Sequence, residues 1–344
     1  MILTAIVPLS VLFIELVNPG QRFKKYIWTI TLWFFAFFLA FSYGSRCVGC
    51  ANYDDFNNVY KFQGQYLSEI GFTGFFERSI AVTHEYVFYF IFWIIANIFQ
   101  PEYWLFGLSF VTISFLIFSL RGYISDHLII VLVGLSSIGL STQLVRQYMA
   151  WSILLYIFLQ LNKRKDKWLF YLGSIFVHTS SFVLLVKLIL SRFKPFIIFI
   201  ISLCLFLVIF YFRDLFFNLD FEQIKFLTSI SLDADILDYN KLFLNRIILL
   251  SLLLFLMPKF RSFILLSILI FTVTYKLPLL PVRLNLIVLS HAYGLLSVYI
   301  LSRFNKNIQL IGVFLIFSLI SIRLVFFSDY NNGFQLWESY SMIF

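Results

Sequence analysis

Two arginines stand beside long apolar segments, where a charged side chain needs a chemical reason. Arg146 lies in STQLVRQYMAW, a polar break between two apolar runs, and Arg283 lies in KLPLLPVRLNL behind two prolines. Either both side chains extend to the lipid headgroups, as long cationic side chains do, or they converge on an anionic ligand. The planar guanidinium fork suits a pair of phosphate oxygens. From the residues alone, both explanations stay open for Arg146 and Arg283.

Three other side chains are candidates for a general base, or for an acceptor that orients a hydroxyl. In order of preference for a place near Arg146 they are Glu85, His178 and Asp55. Glu85 opens a short apolar run, where a carboxylate could simply stabilise a helix N-terminus. His178 lies in HTSS within an apolar segment and could be a neutral packing residue. Asp55 follows Asp54 in ANYDDFNNVYKF and could be a solvated loop residue.

Aromatic residues in the polar stretches are candidates for stacking on sugar rings. An aromatic belt at the membrane interface is the alternative explanation for them. The sugar-binding candidates are Tyr53, Phe56, Tyr60, Trp337 and Tyr340.

No metal or cofactor is predicted. Cys47 and Cys50 form one CxxC, whereas a structural zinc site needs four ligands, and the adjacent Asp54 and Asp55 are a weak site for a divalent ion. The sequence lacks GxxxxGK[ST], and it lacks GxGxxG after a strand pattern. ATP-driven transport by this chain alone is therefore not expected.

The composition indicates that membrane-spanning helices hold these candidate residues in place. Of 344 residues, 61% are hydrophobic and 12% are charged, against about 25% charged in a soluble domain. The sequence predicts one all-α, polytopic membrane domain over residues 1–344, with about ten to twelve spans because several runs are short. The apolar runs are 1–17, 26–45, 84–99, 103–120, 124–142, 147–161, 168–190, 195–212, 242–257, 262–276, 284–301 and 307–327.

The net charge of +9 is explained by orientation in the bilayer, and no nucleic-acid partner is expected, because the cations form short clusters between apolar runs. The positive-inside rule places these clusters in the cytoplasm: Arg22/Lys24/Lys25, Arg121, Lys163/Arg164/Lys165/Lys167, Arg192/Lys194, Lys259/Arg261 and Arg303/Lys306.

Simple alternation of full spans would put two of these clusters outside. Two exceptions remove the conflict: residues 84–99 dip into the outer leaflet without crossing, and residues 168–190 form a helix broken at HTSS that returns to the cytoplasmic side. The polar stretches 46–83, 213–241 and 328–344 then fall outside.

An ordered set of segments resembles the EpsG family, the Wzy-like polymerases of bacterial surface polysaccharides. The segments are SRCVGCANYDDFNNVY, HEYVFYF, QLVRQYMAW, NKRKDK and FVHTSSFVLL, followed by PVRLNL and WESY. The resemblance covers residues 40–190 well and the remainder loosely. Asp54 and Asp55 lie later than the family's usual Gly-x-Asp, and Tyr86 replaces a frequent Pro after the glutamate.

The resemblance implies a metal-independent glycosyltransferase that joins oligosaccharide repeat units carried on polyprenyl diphosphate. It implies an O-antigen, capsule or exopolysaccharide as product, the bacterial inner membrane as location, and an active site on the periplasmic or exterior side. A chain-length regulator and a flippase are the expected protein partners, beside the lipid bilayer itself. The resemblance also implies that Arg146 and Arg283 bind the diphosphate and stabilise it as it leaves, with Arg46 as the next candidate for this role.

Three other functions compete with the polymerase. A flippase or transporter for the lipid-linked sugar would be expected to show internal repeats, and the sequence shows none. An O-antigen ligase would share the outer arginines and differ mainly in its acceptor. A membrane acyltransferase would also need a histidine within the membrane.

Overall fold

The described part of the chain is helical. The computed structural model describes residues 20–44, 61–70, 85–137, 145–160, 193–211, 247–256 and 294–326, with single residues elsewhere. No β-strand occurs in these residues, which confirms the all-α class for them. The helices are α1 (Gln21–Gly44), α2 (Lys61–Glu69), α3 (Tyr86–Ile98), α4 (Trp104–Leu120), α5 (Asp126–Ser136), α6 (Val145–Gln160), α7 (Pro195–Tyr211) and α8 (Lys306–Phe326).

These helices coincide with apolar runs of the sequence to within a few residues, with two differences. The run 124–142 is helical as far as Ser136, and residues 138–144 are outside the described part. Helix α2 lies in the stretch 46–83, which the sequence predicts only as a polar outer segment. The chain divides into two compact units, Met1–Ser181 with Ser297–Phe344, and Phe182–Leu296. The first unit contains all the helices named above except α7.

The long helices of the first unit run in alternating directions. Helices α1 and α4 are antiparallel, because Gly44 meets Phe106 at one end while Arg121 Nη2 donates to the Lys25 carbonyl at the other (3.3 Å). Helix α6 is parallel to α4, because the Gln160 side chain at its end donates to the Arg121 carbonyl (2.8 Å). The end that holds Lys25, Arg121 and Gln160 is called the Lys25 end below.

The opposite end, called the Glu85 end, holds Glu85, the start of α4 and the start of α6. Helix α5 runs from the Lys25 end toward the Glu85 end, where the Tyr148 hydroxyl donates to the Ser136 carbonyl (2.9 Å). Helix α8 packs on α5 in the same direction, since His127 pairs with Gln309 near the start of both helices (2.9 Å). Lys25, Arg121 and Gln160 thus lie at one end of the unit, and the Glu85–Arg146 ion pair lies at the other.

Helix α3 is short and stays at the Glu85 end. Its 13 residues span about 20 Å. Glu85, which precedes its first turn, forms an ion pair with Arg146 at the start of α6. The last turn of α3 contacts the start of α4, because the Trp104 indole donates a hydrogen bond to the Phe99 carbonyl (2.9 Å). Both ends of α3 thus lie on the same side of the bundle.

Among the residues that the structure describes, two helices are long and apolar enough to cross a membrane, Arg22–Gly44 and Pro101–Leu120. The same part of the chain also contains four shorter apolar helices, Tyr86–Ile98, Asp126–Ser136, Ile247–Leu256 and Lys306–Ile320. Helices α1, α7 and α8 each expose a series of large apolar side chains, which is typical of surfaces that face lipid or a partner. These side chains are Phe23, Tyr26, Ile30, Trp33, Phe34, Phe37, Phe196, Phe199, Ile200, Leu203, Leu207, Ile308, Ile311, Phe314, Leu315 and Leu319.

Helices α1 and α4 cross closely at Gly44. A Cβ atom there would lie 2.6 Å from the Cα of Phe106, which is backbone and cannot rotate away. We expect Gly44→Ala to destabilise the protein by about 1–3 kcal/mol, the usual cost of overpacking. The measurement is the thermal unfolding midpoint of the purified chain in detergent. Gly20→Ala is the control, because a Cβ at Gly20 would have no described atom within 4 Å; equal midpoints for the two variants would contradict the close crossing.

Candidate functional site

The site is centred on an ion pair at the Glu85 end. Glu85 immediately precedes α3, and Arg146 is the second residue of α6. Arg146 Nη1 donates to Glu85 Oε2 at 2.8 Å, and the two side chains are 29% and 10% exposed. Glu85 makes no side-chain hydrogen bond that caps α3. The Glu85 carboxylate is thus paired with the arginine, while Glu85 also occupies the position before the first residue of α3.

An apolar cluster next to the Glu85–Arg146 pair holds α3 and α6 together. Phe88 and Phe92 of α3, Trp104 of α4 and Met149 of α6 are all almost completely buried in it. The rings of Phe92 and Trp104 meet edge to face with centroids 5.8 Å apart, a favourable geometry for aromatic pairs. Because the cluster is closely packed, it holds the start of α6 against the start of α3. The ion pair is thus positioned by packing as well as by charge.

Two residues of the site were not predicted from the sequence, Tyr89 and Gln63. The Tyr89 hydroxyl donates to Gln63 Oε1 of α2 at 3.0 Å. Tyr89 also interacts electrostatically with Arg146 and Glu85. Tyr89 is one turn after Glu85, so both lie on one face of the chain, and this spacing in HEYVFY was the signal that could have found it. Gln63 carries no such signal, because its contact depends on where α2 packs.

Helix α2 is held by a close contact of its own. A Cβ at Gly64 would lie 2.3 Å from the Trp104 ring, so only a residue without a side chain allows this approach. The Trp93 indole of α3 donates to the Ile70 carbonyl at the end of α2 (3.1 Å). Helix α2 is therefore docked on α3 and α4, and Gln63 can reach Tyr89.

The chain just before the HTSS segment reaches the same site. The Val87 backbone N–H donates to the Phe176 carbonyl (3.1 Å), and the Phe176 ring contacts Tyr86 with centroids 5.9 Å apart. Val177 is completely buried in the apolar cluster. His178 is the next residue but lies outside the described part of the chain, so its predicted role stays a prediction.

The remaining predicted site residues also lie outside the described part. The structure therefore brings together Glu85 and Arg146, and it leaves the predicted roles of the others as predictions. These others are Arg46, Tyr53, Asp55, Phe56, Tyr60, Arg283, Trp337 and Tyr340.

No family model, curated protein or solved structure matches this chain. The resemblance to the EpsG family accordingly rests on the ordered motifs of the sequence, and the chemistry of the site is argued from its own geometry.

The pair combines two groups that act in different ways. A guanidinium has five N–H donors in a fixed fork, a geometry that suits carboxylates and phosphates, and Nη1 of Arg146 directs one donor to Glu85. A carboxylate only accepts hydrogen bonds, so it can orient a hydroxyl or take its proton. Together they suit a reaction in which a hydroxyl attacks and an anion leaves.

We expect Tyr89→Phe to weaken the site without dismantling it. The substitution removes the hydroxyl that joins α2 to the Arg146 side of the site, and a hydrogen bond contributes about 1 kcal/mol, or about fivefold. The measurement is the amount of the surface polysaccharide that the family resemblance implies, in a null strain that expresses the variant at the protein abundance of the wild type. Tyr26→Phe is the matched control, since Tyr26 is 69% exposed on α1 and lies outside the site. An equal loss in both variants would contradict a specific role for Tyr89.

Proposed function

We propose that this chain polymerises lipid-linked oligosaccharide repeat units into a bacterial surface polysaccharide. The observation that supports it most is the Glu85–Arg146 pair at 2.8 Å, at the end of the bundle opposite Lys25 and Arg121. The described residues that meet there, Glu85, Arg146, Phe176 and Val177, belong to the segments HEYVFYF, QLVRQYMAW and FVHTSSFVLL, and these segments also carry the resemblance to the EpsG family.

The proposed reaction is a single displacement at an anomeric carbon. The growing chain is the donor, and the bond between its anomeric carbon and the diphosphate oxygen breaks. A hydroxyl of the next lipid-linked unit forms the new glycosidic bond and loses its proton to Glu85. Negative charge builds on the departing polyprenyl diphosphate, and a preorganised Arg146 stabilises that charge. No nucleotide or metal is required by this chemistry, because the diphosphate is already an activated leaving group.

The proposed location is the inner membrane, with the Glu85 end outside. The exposed apolar faces and the two helices of membrane-spanning length support a multi-pass membrane protein. Lys25 and Arg121 lie at one end, as the positive-inside rule favours for a cytoplasmic surface. The position of α3, with both ends at the Glu85 end, supports the prediction that residues 84–99 do not cross.

This orientation predicts the labelling of two engineered cysteines. Cys47, Cys50 and Cys204 are first replaced by serine. In that background we expect Ser68→Cys, at an exposed position of α2, to react with an impermeant maleimide in intact spheroplasts. Ser125→Cys, exposed before α5, should react only after permeabilisation. Labelling of both positions in intact cells, or the reverse pattern, would contradict the orientation.

Deletion of the chain in its host tests the proposed activity. Surface glycans are extracted and separated on a gel. We expect the long ladder to disappear while a lipid core with one repeat unit remains, because ligation still occurs without polymerisation. Loss of every repeat unit would instead indicate a flippase, a ligase or an earlier transferase, and an unchanged ladder would reject all of these.

A further inference from the structure

A second polar site lies at the Lys25 end, far from the Glu85–Arg146 pair. It is an open cleft of about 780 Å³ between α1, α4, α5 and α6. Its lining is Lys25, Phe118, Arg121, Gly122, Ile124, Ser125, Asp126, Tyr156 and Gln160. The proposed polymerase reaction gives this cleft no task.

The cleft carries a net positive charge. Lys25 and Arg121 contribute two cations, and Asp126 contributes one carboxylate, whose Oδ1 is 3.6 Å from Arg121 Nε. Within the described ranges the Lys25 ammonium makes no ion pair, so its charge is uncompensated by a protein carboxylate. A phosphate group would supply the missing negative charge.

Arg121 is held in place by three neighbouring helices. Its Nη2 donates to the Lys25 carbonyl of α1 (3.3 Å), and its own carbonyl accepts from the Gln160 amide of α6 (2.8 Å). Asp126 of α5 faces its Nε. A guanidinium fixed in this way loses little conformational freedom when it binds an anion. Ser125 and Tyr156 add hydroxyl groups to the same lining.

An apolar track leaves the cleft along α1. Phe118 lines the cleft and contacts the Trp33 ring, with centroids 5.0 Å apart. Trp33 is 42% exposed, and Ile30 and Phe37 on the same face are 56% and 40% exposed. Residues at this spacing form one stripe of a helix. An acyl chain can follow that stripe while a headgroup occupies the cleft.

We infer that this cleft binds the phosphate headgroup of an anionic phospholipid, with Lys25 and Arg121 as the phosphate ligands. A soluble phosphate ion would use the cations alone, whereas a lipid also uses the apolar stripe of α1. The inference is independent of the polymerase activity, since it concerns the opposite end of the bundle and needs no glycan substrate.

Native mass spectrometry of the purified full-length chain in neutral detergent tests the inference. The probes are phosphatidylglycerol, phosphatidylcholine with the same acyl chains, and inorganic phosphate. We expect phosphatidylglycerol to bind more tightly than the other two. Lys25→Gln should raise its dissociation constant by about fivefold, since one cation near an anionic lipid contributes about that factor, and Lys25→Arg should restore binding.

Arg22→Gln is the matched control. It removes the same charge from the same helix, and Arg22 is exposed and does not line the cleft. Lys25 contributes its backbone carbonyl to Arg121, so Lys25→Gln should keep the thermal midpoint of the wild type. Equal binding of phosphatidylcholine and phosphatidylglycerol would overturn the inference. Equal losses in Lys25→Gln and Arg22→Gln would also overturn it, and so would phosphate binding as tight as that of the lipid.

Discussion

Replacing Arg146 by alanine is expected to abolish long polymer while the protein remains inserted in the membrane. The guanidinium is the only cation among the described residues of the site, so it is the group best suited to stabilise a departing diphosphate, and removal of one such donor lowers rates by roughly 10²–10³-fold. The measurement is the glycan ladder of a null strain that expresses the variant, normalised to protein abundance. Arg303→Ala is the control, because Arg303 is exposed in the turn before α8 and contacts Tyr299.

The main alternative cause of a defect in Arg146→Ala is misfolding. The substitution leaves the carboxylate of Glu85 without this partner in a largely buried position, which costs about 3–5 kcal/mol in comparable cases. Two further variants separate folding from chemistry. Arg146→Lys keeps the charge but lacks the planar fork, and it should still fail. Glu85→Gln combined with Arg146→Gln replaces the ions with a neutral pair, and it should fold yet make no polymer. Normal polymer from either variant would contradict the diphosphate-binding role.

The second large effect is expected for Glu85→Gln. The amide has nearly the same shape and can still accept a hydrogen bond from Arg146, so the arrangement of α3 and α6 should persist. It cannot accept the proton of the attacking hydroxyl, and loss of a general base lowers rates by about 10²–10⁴-fold. The measurement is the initial rate of glycosidic bond formation as a function of pH. The wild-type rate should fall toward low pH, whereas the residual rate of the variant should not.

A different outcome would make Glu85 a positioning residue. If the carboxylate only orients Arg146, Glu85→Gln and Arg146→Lys act on the same interaction, and their effects should be far from additive. The activity of Glu85→Gln would then keep the pH dependence of the wild type. Wild-type activity in Glu85→Gln would exclude both roles and leave the ion pair as a structural contact.

The closeness of Glu85 to Arg146 could be predicted from the sequence, but their ion pair and the residues that support it could not. Glu85 and Arg146 both border apolar segments, where an ionised group must find a partner or face lipid. Because of that requirement, their proximity is a reasonable expectation from residue type and position alone. The positive-inside rule predicts Lys25 and Arg121 on one side of the membrane. In the structure the two residues lie at the same end of the bundle.

The position of α2 could not be predicted in this way. Its docking depends on the absence of a side chain at Gly64, which lets the helix rest on the Trp104 ring. Such a contact joins residues far apart in sequence and leaves no periodic signal. From the sequence, Gln63 therefore cannot be distinguished from the other polar residues of the stretch 46–83. In the structure it accepts a hydrogen bond from Tyr89 beside the ion pair.

Reconstitution of the purified chain tests the central claim most directly. Wild-type protein and Arg146→Lys are placed in proteoliposomes with lipid-linked repeat units extracted from a host that lacks this chain. Nucleotide is omitted and EDTA is added, and the products are separated by size and analysed by mass spectrometry. The proposed reaction predicts that the wild type forms dimers and longer oligomers with release of polyprenyl diphosphate, and that Arg146→Lys does not. Repeat units that cross the bilayer without being joined, or equal product from both proteins, would contradict it.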